Sequence, residues 1–433
     1  MTGGRLGDLY GLKRFFQIGM LGFTLASLLC GLAPNPGVLI VARILQGLTA
    51  ALMIPQVLAL IQVSFPAKER GVVFGFYGAT LGLASIAGQI VGGLLISLNV
   101  FGLGWRSVFL INVPIGVIAG LAALLFIRES TADAARRLDL IGVGLLTSGL
   151  FLLVYPLVEG RNAGWPAWAF VCLVLAIPVL VLFLLYEHRL ARVGGEPLLP
   201  LSLFKERSFN LGMITLLVFY GAISSFLFIF PLYLQIGLGA SALTAGLTFV
   251  PLSLSFALSS LVSSRLRPLL GPWVVRVGAI LMAGGELWTL LTVQQAGLIV
   301  QEPQLLLPFL AMGFGEGMIL APLIPMILTN IRAQHAGAAS GVLTTIMQIA
   351  TALGVAVIGI VFFGNLGATP PGQALQLARS YGHAFVVSLV AILVLAAIIL
   401  ICIWLLSSVK RAEQDKRVEQ DKQAETQPAE TAI

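Results

Sequence analysis

Three ionisable side chains interrupt long apolar runs in this sequence: Arg43 in "VARILQGLTAA", Glu286 in "LMAGGELWTLL" and Glu316 in "GFGEGMILAPLIP". A carboxyl group held away from water resists ionisation, so it can take up and release a proton, or attract a cationic ligand. Glu316 has Gly313 and Gly317 on nearly the same helical face, which predicts a side packed against protein rather than lipid. Two readings stand for it: a proton-exchanging, cation-attracting group, or a permanently neutral acid satisfied by nearby backbone. Arg43 would cost on the order of 3 kcal/mol within a span. It is either functional or a residue in the outer third of its span that snorkels to the interface.

Other chemistries find little support. Asp8, Asp133, Asp139, Asp415 and Asp421 all fall outside the apolar runs or at an edge, so paired aspartates for intramembrane hydrolysis are not expected. No phosphate-cradling GxxxxGK[ST] loop occurs, which disfavours an ATP-driven pump. Cys30, Cys172 and Cys402 are far apart inside apolar runs, without metal-ligand or disulfide spacing. His188, His335 and His383 lie at run ends or in loops and read as solvated residues. The expectation is no enzyme, no catalytic residue, no metal and no cofactor.

The elements that must position these groups follow from composition. Of 433 residues, 58% are hydrophobic and only 10% charged, against about a quarter in soluble domains. The chain therefore reads as an all-α integral membrane protein. Runs of roughly 20 apolar residues cross a bilayer, and they predict twelve helices at 15–33, 38–62, 72–97, 107–127, 140–157, 168–186, 211–234, 243–263, 274–293, 305–328, 338–363 and 384–406. The runs are too long and continuous for a membrane barrel. The basic start leads into a full-length span, so no cleaved signal peptide is expected.

With the first turn placed in the cytoplasm, 21 of the 25 Lys and Arg residues fall on that side and 3 on the other, with Arg43 inside a span. That bias predicts cytoplasmic termini. It also accounts for the net charge of +7 without a nucleic-acid partner. The tail from Ser407, with its doubled "EQDK", reads as a solvated extension.

The chain also repeats itself. "GVVFGFYGATLGLASIAGQIVGG" aligns with "GAASGVLTTIMQIATALGVAVIG" at an offset of 266, matching Gly71 with Gly337, Gly88 with Gly354 and Gly93 with Gly359; the same offset pairs Gly47 with Gly313. At an offset of 260, the opening turn "GRLGDLYG" meets "SRLRPLLG", pairing Arg5 with Arg265 and Gly11 with Gly271. The second copy is preceded by spans 211–234 and 243–263, the first by nothing, so its first two helices are expected to be absent. Spans 140–157 and 168–186 belong to neither copy. Twelve therefore reads as fourteen minus two.

From about residue 3 to 406 the sequence resembles the major facilitator superfamily, in particular its fourteen-span drug:proton antiporter subfamily. Gly4, Asp8, Gly11, Lys13 and Arg14 fit the loop motif, with Leu9 where a basic residue is usual. "RILQGLTAA" is similar to the motif bearing the embedded arginine. "AGQIVGG" resembles the antiporter motif, with Gln89 in place of the usual Pro. "WRSVFLINVPIG", "PLYLQIGLGASALTAG" and "AGAASGVL" resemble further recurring segments.

The resemblance implies a major facilitator fold divided as 1–137 (an incomplete leading bundle of four spans), 138–188 (a two-helix insert), 189–208 (a cytoplasmic linker), 209–406 (a six-helix bundle) and 407–433 (the tail). It implies proton-driven export of hydrophobic or cationic small molecules by alternating access at the cell membrane, with an importer or a truncated, non-transporting protein as alternatives. Arg43 and Gln46, with Glu316, would couple protons to substrate. Tyr220, Tyr233, Gln235 and Gln348 are cavity candidates. Gly4, Asp8, Gly11, Arg14, Glu69 and Arg70 would form a conformational latch, Asp8 pairing with Arg14 and Glu69 with Arg70. Gly88, Gly92 and Gly93 would let helices approach closely, in packing or as a hinge. Glu286 lies on a helix that is peripheral in the superfamily, which favours a packing or assembly role over proton relay.

Overall fold

The computed structural model describes residues 2–99, 102–129, 139–160, 163–195, 197–199, 204, 206–296, 300–328, 331, 336–366 and 374–426. Asp133 and His335 lie outside them, as does the side chain of Gln89. The described residues are helical wherever the sequence is continuously apolar, since backbone groups in a bilayer must bond within their own segment. In chain order the helices are α1 (Thr2–Tyr10), α2 (Leu12–Leu32), α3 (Pro36–Ser64), α4 (Ala67–Ser97), α5 (Ser107–Leu110), α6 (Asn112–Phe126), α7 (Leu140–Glu159), α8 (Ala167–Arg192), α9 (Arg207–Leu232), α10 (Ala242–Thr248), α11 (Val250–Leu270), α12 (Trp273–Ala296), α13 (Glu302–Leu328), α14 (Ala336–Gly364) and α15 (Ala374–Thr426). Twelve of the resulting segments are long and apolar enough to cross a membrane, and each coincides with a predicted span.

Two local predictions differ. The opening stretch is a helix rather than a glycine-rich turn, because α1 is held by packing on α3 and α14, and these contacts override its glycines' low propensity. The turn is confined to Gly11, whose φ of 107° is open to glycine; its repeat partner Gly271 ends α11 at φ 55°. The predicted span 243–263 breaks at Phe249 and then continues to Leu270, so "SSRLRPLL" is helical.

Helix contacts reproduce the repeat. α2 packs on α3 and α6 as α12 packs on α13 and α15. Between the halves, α4 contacts α11 and α13, while α14 contacts α1 and α3. The equivalent residues Gln62 and Leu328 meet directly, the Gln62 amide donating to the Leu328 carbonyl at 3.0 Å. α9 lies against α13, α14 and α15. α7 pairs with α8 and touches α14.

Candidate functional site

Glu316 owes its position to three glycines on α13. Gly313 and Gly317 bring the backbone onto α11 at Leu252 and Phe256, and Gly315 brings it onto α12 at Met282. The α11 serines allow this contact in apolar surroundings because their hydroxyls donate to their own helix, Ser255 to Leu252 at 3.0 Å and Ser260 to Phe256 at 2.8 Å. The Glu316 side chain, 3% exposed, borders a cavity of about 180 Å³ among α4, α9, α11 and α13. Tyr220, Phe219, Phe226, Phe256, Ser253, Gly82 and Ser85 are further members of its lining. Glu316 Oε1 is buried with no hydrogen-bond partner among the described residues. The fold thus brings together Glu316 and Tyr220, residues predicted separately.

Arg43 does not line this cavity. It is exposed, with Nη1 donating to Gln46 Oε1 at 2.9 Å and its guanidinium over the Phe109 ring at 4.4 Å. Gln46 is buried and donates to Ser27 Oγ at 2.7 Å. Arg43, Gln46 and Ser27 therefore form a chain of hydrogen bonds from α3 to α2.

At the α1–α2 turn, Asp8 spans the two halves. Its Oδ1 accepts from Gly337 N and its Oδ2 from Ala338 N, both at 2.8 Å, at the start of α14. A carboxylate on free N–H groups at the positive end of a helix is a charge-assisted cap. Gly4 allows the approach, since any Cβ there would collide with the Gly337 carbonyl. Of the other expected latch residues, the Arg14 backbone N–H donates to Glu129 Oε2 at 3.2 Å, and Arg70 Nε to its own turn at Phe65 O, 2.9 Å. Glu69 is exposed.

The remaining candidates separate. Gln348 lines a second cavity, of about 940 Å³, between α7 and α14, with Thr345, Thr351, Tyr155 and Phe228. Tyr233 is packing: it is 1% exposed and stacked on Phe385 at 4.5 Å. Gln235 is exposed in the π turn Tyr233–Gly237. A Cβ at Gly88, Gly92 or Gly93 would meet nothing of another element within 4 Å among the described residues. The close approaches of α4 are made instead by Gly75, Gly78 and Gly82, against Ser260, Ser264, Ser253 and Phe256 of α11.

The family model described as Major Facilitator Superfamily matches residues 1–355. The chain belongs to the Major Facilitator Superfamily. Relatives include the "Probable actinorhodin transporter" of Streptomyces coelicolor, 44% identical over 371 residues, covering 85% of this chain and 64% of that one. Another is the "Puromycin resistance protein pur8" of Streptomyces alboniger, 36% identical over 371 residues, covering 85% of this chain and 72% of the relative. The chain thus spans less than two thirds of the first relative's length. The solved human organic anion transporter MFSD10 shares the fold at a TM-score of 0.60 and 15% identity, covering 91% of this chain and 79% of that one.

This superfamily member carries site residues that the sequence reading did not single out. Glu129 accepts from the Lys13 and Arg14 N–H groups, both at 3.2 Å, and so caps α2 from beyond the end of α6. Nothing in "RESTADAARRLD" marks that acid, since its partner is 115 residues away. Ser27 and Gln62 were equally silent. A polar residue on an otherwise apolar span was the available signal for both.

Proposed function

We propose that the chain is a secondary transporter that exports hydrophobic or cationic small molecules in exchange for protons, by alternating access. The carrying observation is Glu316, a buried carboxyl with an unpartnered oxygen, facing aromatic rings in a cavity bordered by both halves. Aromatic faces and a carboxylate attract the same cation. A proton and a cationic substrate therefore compete for one group. Loading the proton releases the substrate, and an arriving substrate displaces the proton. Each charge crossing the membrane contributes about 2.3 kcal/mol per 100 mV, which supports export without ATP. The relatives named as antibiotic transport and resistance proteins support export over import. The proposed setting is the cell membrane with both termini in the cytoplasm.

We further propose the fourteen-span arrangement, in which two more spans pack on α3 and α4 as α9 and α11 pack on α13 and α14. The support is a set of faces equivalent under the repeat. Gly354 meets Gly221 of α9 and Gly313 meets Leu252 of α11, whereas Gly88 and Gly47 meet nothing within 4 Å among the described residues. That open face also favours a second reading, a membrane protein that does not transport by itself.

Inside-out vesicles containing the protein distinguish these readings. With an acidic lumen they are expected to accumulate a lipophilic cationic dye, and Glu316→Gln lowers the rate more than tenfold. Accumulation indifferent to the pH gradient overturns proton coupling; no accumulation favours the second reading.

A further inference from the structure

Glu286 is a buried acid to which the cavity gives no role. It sits on α12, 2% exposed, with Oε2 lacking a hydrogen-bond partner among the described residues. α12 lies directly against α13: Gly285 meets the Met312 backbone, and Gly315 meets that of Met282. This antiparallel register sets Glu286 about five residues from Glu316 along the axis, or ~7.5 Å of rise, within reach of two extended glutamate side chains.

Among the described residues no counter-ion faces this pair: Tyr220 is the other titratable side chain lining the Glu316 cavity. Arg276 is ten residues before Glu286 on α12, ~15 Å away along the helix, and donates to Ser407 Oγ at 2.8 Å between Trp273 and Trp404. Arg265 and Arg267 lie near the end of α11, and Arg379 and His383 near the start of α15, none at the depth of the pair. Two acids in one water-poor space without a cation are not both charged, so the pair always holds a proton.

We propose that Glu286 is the residue through which Glu316 is reprotonated, a relay one layer behind the cavity. In the substrate-bound form Glu316 is charged and Glu286 carries the proton. That proton passes across the α12–α13 contact to Glu316, the substrate leaves, and Glu286 takes up another from the membrane side that supplies protons. One proton per cycle enters at Glu286 and leaves from Glu316. The relay rests on the proton-coupled reading above.

The test uses the full chain in liposomes and separates the two ideas. Glu286→Gln is expected to lower pH-gradient-driven transport at least tenfold while leaving substrate counterflow, which needs no net proton transfer, within about twofold. Glu286→Asp, which keeps an acid, recovers part of the driven rate. Independently of transport, infrared absorption after a rapid acid jump follows protonation of Glu316, identified as the band lost in Glu316→Gln. That band is expected to rise at least tenfold more slowly in Glu286→Gln. An unchanged rise, or equal loss of counterflow and driven transport in both variants, overturns the relay. Wild-type transport indifferent to the pH gradient, with the slowed band still present, would sink the coupling and leave the relay standing.

Discussion

Pro36–Ser64 and Pro303–Leu328 are equivalent spans of the repeat, yet 9 of the 29 residues of the first and 19 of the 26 of the second are buried. The difference is a matter of neighbours rather than of composition. Position 309 holds Phe309, enclosed by Phe226 at 5.6 Å and Phe230 at 5.1 Å from α9. Its counterpart at the same offset is Arg43, exposed and held by Gln46. The lesson is that α9, α11 and α13, with α4, enclose an acid-and-aromatic cavity, while side chains at Gly47 and Gly88, equivalent positions of the leading half, would meet no described residue within 4 Å.

The largest effect expected from this comparison is at the glycines. Gly354→Leu drives a side chain into the α9 backbone at Gly221, and overpacking of that kind costs ~3 kcal/mol or more. Gly88→Leu, at the equivalent position, is expected to change stability by less than ~0.5 kcal/mol. Thermal unfolding of the two variants in detergent checks this, and equal losses would break the comparison.

A smaller effect separates the two turns. Asp8 caps α14, whereas the equivalent position of the second turn holds Pro268, which cannot cap α4. Asp8→Asn is expected to weaken the contact between α1 and α14 by ~1–2 kcal/mol. A lower midpoint of thermal unfolding in detergent than that of the unsubstituted chain reads it out, and an unchanged midpoint would break this part of the comparison. The least effect is expected at Tyr220→Phe, which keeps the ring and removes the hydroxyl: unchanged stability and a few-fold loss of dye transport. A loss as large as that of Glu316→Gln would make Tyr220, not the acid, the centre of the cavity.

Much of the fold was legible because a bilayer leaves apolar runs one option, and every predicted span reappears as a helix. The repeat was equally legible, down to the positive φ shared by Gly11 and Gly271. The site was legible only in part. An acid in a span marked Glu316, but no spacing could show that Tyr220, 96 positions away, shares its cavity while Tyr233 stacks in the core. Asp8 was visible as a motif residue, yet its acceptor role lies 329 positions along the chain. GxxxG spacings at 71/75, 78/82 and 88/92 announced close packing along α4; the structure makes it at Gly75, Gly78 and Gly82, and a Cβ at Gly88, Gly92 or Gly93 would meet no described residue within 4 Å. Small residues permit an approach without saying which neighbour makes it.

The most direct test of the inequality between the halves replaces Cys30, Cys172 and Cys402 with serine and places one nitroxide at 92 or 358, equivalent positions at the offset of 266. A Cβ at Gly92 would meet nothing within 4 Å among the described residues, whereas Ile358 is 2% exposed. In the membrane-embedded protein, the label at 92 is expected to collide freely with dissolved oxygen or a water-soluble nickel complex, and the label at 358 to be shielded from both. Equal shielding at the two positions would contradict the account.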